Sequence, residues 1–254
     1  LGKISRRKGQ EQSRCEAYDD ATRPAERMPR FSRISSFDSV FSVPEITPTD
    51  AHADEDEETD DGYCNYDDVL RTAAAVRALG AEVDRSSDGT WWVNGCGVGG
   101  LHESDQVLDL GNSGTGVRLL MGLAATLPFT TFFSGDSSLS RRPMGRVMTP
   151  LEKFGTAFAS RQGLLPCAVH GAKNPRPIEH QMTVSSAQVK SAILLAGLNA
   201  PGETTVIETV STRDHTERML RAFGAEVRTE ETGAARRITV VGHPEFTGRA
   251  VHVP

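Results

Sequence analysis

VRALGAEV (76–83), LEKFGTAF (151–158) and LRAFGAEV (220–227) are variants of one pattern: an apolar helix end, a glycine, then the start of a strand. Gly80, Gly155 and Gly224 fall where a left-handed residue ends a helix, a backbone that glycine takes without a Cβ penalty. Each leads into a hairpin that closes on another glycine: GTWWVNG at Gly95, LPCAVHG at Gly171, RRITVVG at Gly242. Self-similarity predicts a tandem architecture. The spacing of about 70 residues exceeds that of solenoid repeats, so each copy is expected to be a small α/β unit around a shared axis.

Working outward, copy two (105–171) reads as strand 107–110, helix 114–125, strand 129–134, helix 144–154 and hairpin. Copy three (176–242) reads as strand 181–184, helix 187–197, strand 204–208, helix 213–223 and hairpin. The predicted fold is α/β, built of repeated β-α-β-α-β-β units around a pseudo-threefold axis. RLLMGLAA and AILLAGL are apolar on more than one face, which predicts buried helices with sheets outside. Copy one (66–95) shows only its second helix, 67–79, and its hairpin, so the first unit is expected to be incomplete. Residues 1–65 are basic, then Ser/Pro-rich, then acidic over 54–61, with apolar residues at neither helical nor strand period. They read as a disordered leader foreign to the repeat, with the folded domain at 66–254.

Composition narrows the function classes. The chain has 254 residues, a net charge of −6 and 6% aromatic residues. No apolar stretch is long enough for a membrane helix, and the first 30 residues carry charge throughout, so neither a span nor a secretory signal is expected. No Lys/Arg stripe interleaves with aromatics, which argues against nucleic acid. Cys15, Cys64, Cys96 and Cys167 lack paired metal spacing and disulfide density, so reduced thiols in a cytoplasm are expected.

The local chemistry concentrates at helix starts. LDLGNSGTGVRLL (108–120) runs a strand into Gly-Asn-Ser-Gly-Thr-Gly and an apolar helix bearing Arg118. Small residues there leave N–H groups accessible at the positive end of a helix dipole, a setting for phosphate or carboxylate; an ordinary capped Gly-rich turn reads the same way locally. It fits neither the phosphate loop nor the dinucleotide fingerprint. TVSSAQVKS (183–191) is the equivalent start in copy three, with Ser185 or Ser186 placed to cap and Gln188 in the first turn. Repeat symmetry sets it beside 112–115, so the two N-termini should converge on one anion site. In SRRPM (140–144), before a Pro-led helix, a guanidinium of Arg141 or Arg142 could bind phosphate bidentately. Arg213 is expected in the first turn of its helix, where a positive charge is locally unfavourable and points to a partner elsewhere.

LGNSGTGVRLL, GDSSLSRRPMGRVMTPLEKFG, SSAQVKSAILLAGLNAPGETTVIE and TRDHTERMLRAFGAEV together resemble the 5-enolpyruvylshikimate-3-phosphate synthases, the 3-phosphoshikimate 1-carboxyvinyltransferases, over about 67–254. The sister UDP-N-acetylglucosamine enolpyruvyl transferases share the fold and chemistry but not these loops. The resemblance implies transfer of a carboxyvinyl group from phosphoenolpyruvate to the 5-hydroxyl of shikimate-3-phosphate, by a cytoplasmic enzyme that is a monomer at full length and uses no cofactor. It implies that Ser186, Ala187, Gln188 and Arg213 hold shikimate-3-phosphate, Gln188 also reaching phosphoenolpyruvate. Asn112, Gly114, Thr115 and Arg142 correspond to the phosphoenolpyruvate side. Gly114 corresponds to the position where alanine admits phosphoenolpyruvate but hinders glyphosate, so glycine there resembles the herbicide-sensitive state. No residue of this chain is implied as a proton-transfer group, since those lie in a second domain that the chain is expected to lack. The family's lysine-bearing loop has no counterpart in 1–65, where residues 32–36 hold serines but no lysine. The resemblance therefore predicts an incomplete form, inactive alone. Its alternative is a non-catalytic anion-binding or scaffold domain that uses the acidic run 54–61 for interaction.

Overall fold

Gly80, Gly155 and Gly224 have φ of 104°, 103° and 104° in the computed structural model, so all three repeat glycines adopt the left-handed conformation their sequence context calls for. The structure describes residues 39–42, 64–87 and 89–252, all within the compact unit Ser36–Pro254. The elements run β1 (Ser39–Ser42), α1 (Cys64–Ala78), β2 (Glu82–Arg85) and β3 (Thr90–Asn94), then β4 (Leu108–Asp109), α2 (Gly114–Ala124) and β5 (Thr130–Ser134). After a 3-10 turn at Leu139–Arg141 come α3 (Gly145–Glu152), β6 (Ala157–Arg161) and β7 (Leu164–His170). The chain continues through β8 (Glu179–Gln181), α4 (Ala187–Gly197), β9 (Glu203–Glu208), α5 (His215–Ala222), β10 (Val227–Thr232), β11 (Ala235–Val241) and β12 (Val251–His252).

The strands form three four-stranded sheets with one plan: β4-β5-β7-β6, β8-β9-β11-β10 and β12-β1-β3-β2. In each, the first two strands are parallel and the rest antiparallel. The third sheet corrects two expectations. Ser39–Ser42, read as part of a structureless leader, is a strand registered on Thr90–Val93, and α1 begins at Cys64 rather than 67. The edge position that β4 and β8 hold in their sheets is taken by β12 from the far end of the sequence. The first unit is thus not reduced to a helix and a hairpin: its sheet is complete, with one strand borrowed from a distant segment. The remaining leader residues, 1–38 and 43–63, including the acidic run, lie outside the described residues.

α4 is buried all round, as its apolar sequence requires; Ala192, Ile193, Leu194 and Ala196 are fully buried. Each such Leu or Ile contributes about 1.5–3 kcal/mol through burial. α2 packs beside it so closely that a Cβ on Gly122 would strike the backbone of Ala192. The two helices run parallel, tied at the near end by Gln188 to Thr115 and at the far end by Thr126 Oγ1 to the Ala196 carbonyl (3.3 Å) and Asn199 Nδ2 to the Thr126 carbonyl. Among the described residues no helix is long and apolar enough to cross a membrane.

Candidate functional site

β4 ends at Asp109, whose Oδ1 accepts the Gly111 N–H at 3.0 Å and turns the chain toward α2. Arg71 of α1 braces this turn through ion pairs to Asp67 (2.6 Å) and Asp109 (2.7 Å), bonds that hold its pKa above the ordinary value. It fills the space a Cβ on Gly111 would need, and Gly111 has φ 53°, so only glycine fits there. Ser113 then caps α2, its Oγ accepting the Gly116 N–H at 3.2 Å. The N–H groups of Gly114 and Thr115 keep no intrahelical partner.

Side chains on a helix lean toward its N-terminus, so Arg118, one turn on, reaches back over that end. Its Nη1 donates to the Gly114 carbonyl (2.8 Å) and to Gln188 Oε1 (3.0 Å). Arg142 leaves the 3-10 turn in extended backbone and donates through Nη2 to Asn112 Oδ1 (2.6 Å) and Ser138 Oγ (3.4 Å). Gly114 sits between the two guanidiniums: a Cβ there would stand 2.9 Å from Nη1 of each. Burial lowers the Arg118 pKa, and the like charges of Arg142 and Arg146 lower it further. Among the described residues none of these three arginines has an ion-pair partner.

Of the two serines placed to cap α4, Ser186 takes the role, its Oγ accepting the Val189 N–H at 3.4 Å; Ser185 is exposed. Ala187 opens the helix, and Gln188 Nε2 donates to Thr115 Oγ1 at 2.7 Å. The first turns of α2 and α4 are therefore adjacent. Two parallel helix N-termini and three unpaired guanidiniums repel one another, and a bound anion relieves that repulsion.

The structure thus brings Asn112, Gly114, Thr115, Arg142 and Gln188 into one connected cluster, with Ser186 and Ala187 flanking Gln188. Arg213 departs from expectation. It lies in the exposed stretch before α5, with Asp214 at the N-cap position, and makes no direct bond to the cluster among the described residues. The helix starts two residues late because Thr212 is turned away, its N–H and Oγ1 both donating to Glu208 (3.3 and 2.9 Å). Sequence reasoning left Arg118 and Arg146 out of the site. For Arg118 the signal is its spacing of four from Gly114, which stacks it over the helix start.

A layered α/β fold that presents paired helix N-termini with uncompensated arginines defines a class suited to small polyanionic substrates. The EPSP synthase family, described as 3-phosphoshikimate 1-carboxyvinyltransferase, matches residues 54–254, and the chain belongs to it. A relative from Paramagnetospirillum magneticum (strain ATCC 700264 / AMB-1), named 3-phosphoshikimate 1-carboxyvinyltransferase, is 64% identical over 195 residues, 76% of this chain and 44% of the relative. One of the same name from Jannaschia sp. (strain CCS1) is 58% identical, over 76% and 43%. The solved EPSP synthase of Acinetobacter baumannii superposes with a TM-score of 0.69 at 42% identity, covering 74% of this chain and 42% of that one. The chain spans less than half the length of these relatives.

Proposed function

We propose that this chain carries the shikimate-3-phosphate-binding half of a carboxyvinyl transferase that joins phosphoenolpyruvate to the 5-hydroxyl of shikimate-3-phosphate and releases phosphate. The observation that carries the reading is the cluster of Arg118, Arg142 and Arg146, without carboxylate partners among the described residues, set against the adjoining first turns of α2 and α4. Ser186, Ala187, Gln188 and Arg213 take the sugar-acid phosphate; Asn112, Gly114, Thr115 and Arg142 face phosphoenolpyruvate. Positioning of two anions and stabilisation of the charge of their tetrahedral adduct are what such groups contribute. In the same reading the enzyme works in the cytoplasm as a monomer on small molecules, without a cofactor, and engages neither nucleic acid nor membrane.

Isothermal titration tests the reading. Shikimate-3-phosphate should bind weakly and shikimate should not, with Ser186→Ala and Arg213→Ala each lowering the affinity. Absence of heat, or indifference to both substitutions, would return the chain to a scaffold role; a melting temperature raised by a UDP-sugar instead would favour the sister transferase.

A further inference from the structure

Lys190 is the one charged residue of α4 and is fully buried, and nothing in the proposed substrate contacts uses it. Its Nζ lies 2.6 Å from Glu217 Oε1 on α5 and 3.5 Å from Glu208 Oε2 at the end of β9. Glu217 is fully buried and Glu208 2% exposed. Arg236 of β11 approaches Glu208 Oε1 at 3.7 Å, bringing the group to charge balance. One residue on, Ser191 Oγ meets Thr216 Oγ1 at 2.6 Å, so the first turns of α4 and α5 are joined twice.

Apolar side chains of the same volume would hold these elements together equally well or better. What a charged centre adds is direction. Glu208, anchored from inside by Lys190, accepts both the N–H and the hydroxyl of Thr212, and Thr212 immediately precedes Arg213. The loop beyond is exposed, Val210 at 61%, and has little apolar burial of its own to fix it.

We propose that the buried Lys190–Glu208–Glu217 centre is a positioning device that holds Arg213 in register with the N-terminus of α4, Thr212 being its grip on the loop. The inference rests on the reading of Arg213 as a substrate contact. It makes Thr212 a positioning residue that acts through Arg213 without touching the ligand.

The test is a double-mutant cycle on the whole chain, read by titration with shikimate-3-phosphate and by amide hydrogen exchange. Thr212→Val, which removes one hydrogen bond to a charged group, should weaken binding about tenfold and speed exchange across 209–214. Thr212→Ser, which keeps the hydroxyl, should stay within about twofold of the parent, and Thr212→Val should cost nothing further once Arg213→Ala is present. A fold that had merely loosened would leave the two substitutions additive and Thr212→Ser no rescue. Unchanged affinity in Thr212→Val, additivity with Arg213→Ala, or unchanged exchange would each overturn the positioning role while the proposed function stands. If the parent fails to bind, or Arg213→Ala binds as the parent does, the proposed site itself falls and takes this inference with it.

Discussion

At the residue scale, Gly114 is hemmed in by an arginine on each side. An alanine Cβ would stand 2.9 Å from Nη1 of both Arg118 and Arg142, so the guanidiniums must give way into the space where a ligand would lie. Crowding of this kind costs about 1–3 kcal/mol, so Gly114→Ala should weaken phosphoenolpyruvate about tenfold in titration; unchanged affinity would put the ligand elsewhere. His180 offers a pH-dependent check on packing. Burial, and then the ammonium of Lys153 that donates to its Nδ1 at 3.2 Å, hold its pKa below the ordinary 6.5. The unfolded chain therefore binds more protons between the two values. The stability involved is whole above about pH 6.5 and is lost as the pH falls through the folded value. His180→Gln should flatten the stability profile below pH 6.5, and Lys153→Met should raise the His180 pKa in an NMR titration.

At the element scale, α4 joins stability to the site. Breaking its buried ion centre from one side strands a charge, so Lys190→Ala or Glu217→Ala should cost about 3–5 kcal/mol in denaturant unfolding, and a loss under 1 kcal/mol would mean that water reaches the centre. Some of this organisation is legible in local sequence. α4 spans Ala187–Gly197, the bounds its apolar pattern and capping serine predict. Other boundaries are set by partners. The edge strand expected at 181–184 forms at Glu179–Gln181, because its register is fixed by β9, and Val184 stays 47% exposed. The start of α5 is displaced by the bonds of Thr212 to Glu208, four residues away in sequence and invisible to helical periodicity. A lone lysine in an apolar helix does announce a buried counter-charge, but only the fold names Glu208 and Glu217.

At the scale of the whole molecule, three sheets share one strand order, and the repeat in the sequence foreshadowed the plan of two of them. The third escaped because β1 is a four-residue strand in a Ser-rich setting and β12 is two residues long; their identity comes from pairing with β3 and with each other. The candidate site was legible where two helix starts carried small and capping residues. Its arginine surplus was less so, since Arg146 belongs to a different helix from Arg118. The proposed site requires that α2 and α4 bring their positive ends together around an anion. Melting curves with inorganic phosphate against chloride, for the parent and for Arg118→Gln/Arg142→Gln, test it directly. At 100 times its dissociation constant phosphate should stabilise the parent by about 2.7 kcal/mol, or roughly 5–10 °C. The double variant should lose that response and, with the like-charge repulsion removed, melt no lower than the parent without phosphate. A full phosphate response in the double variant would contradict the claim.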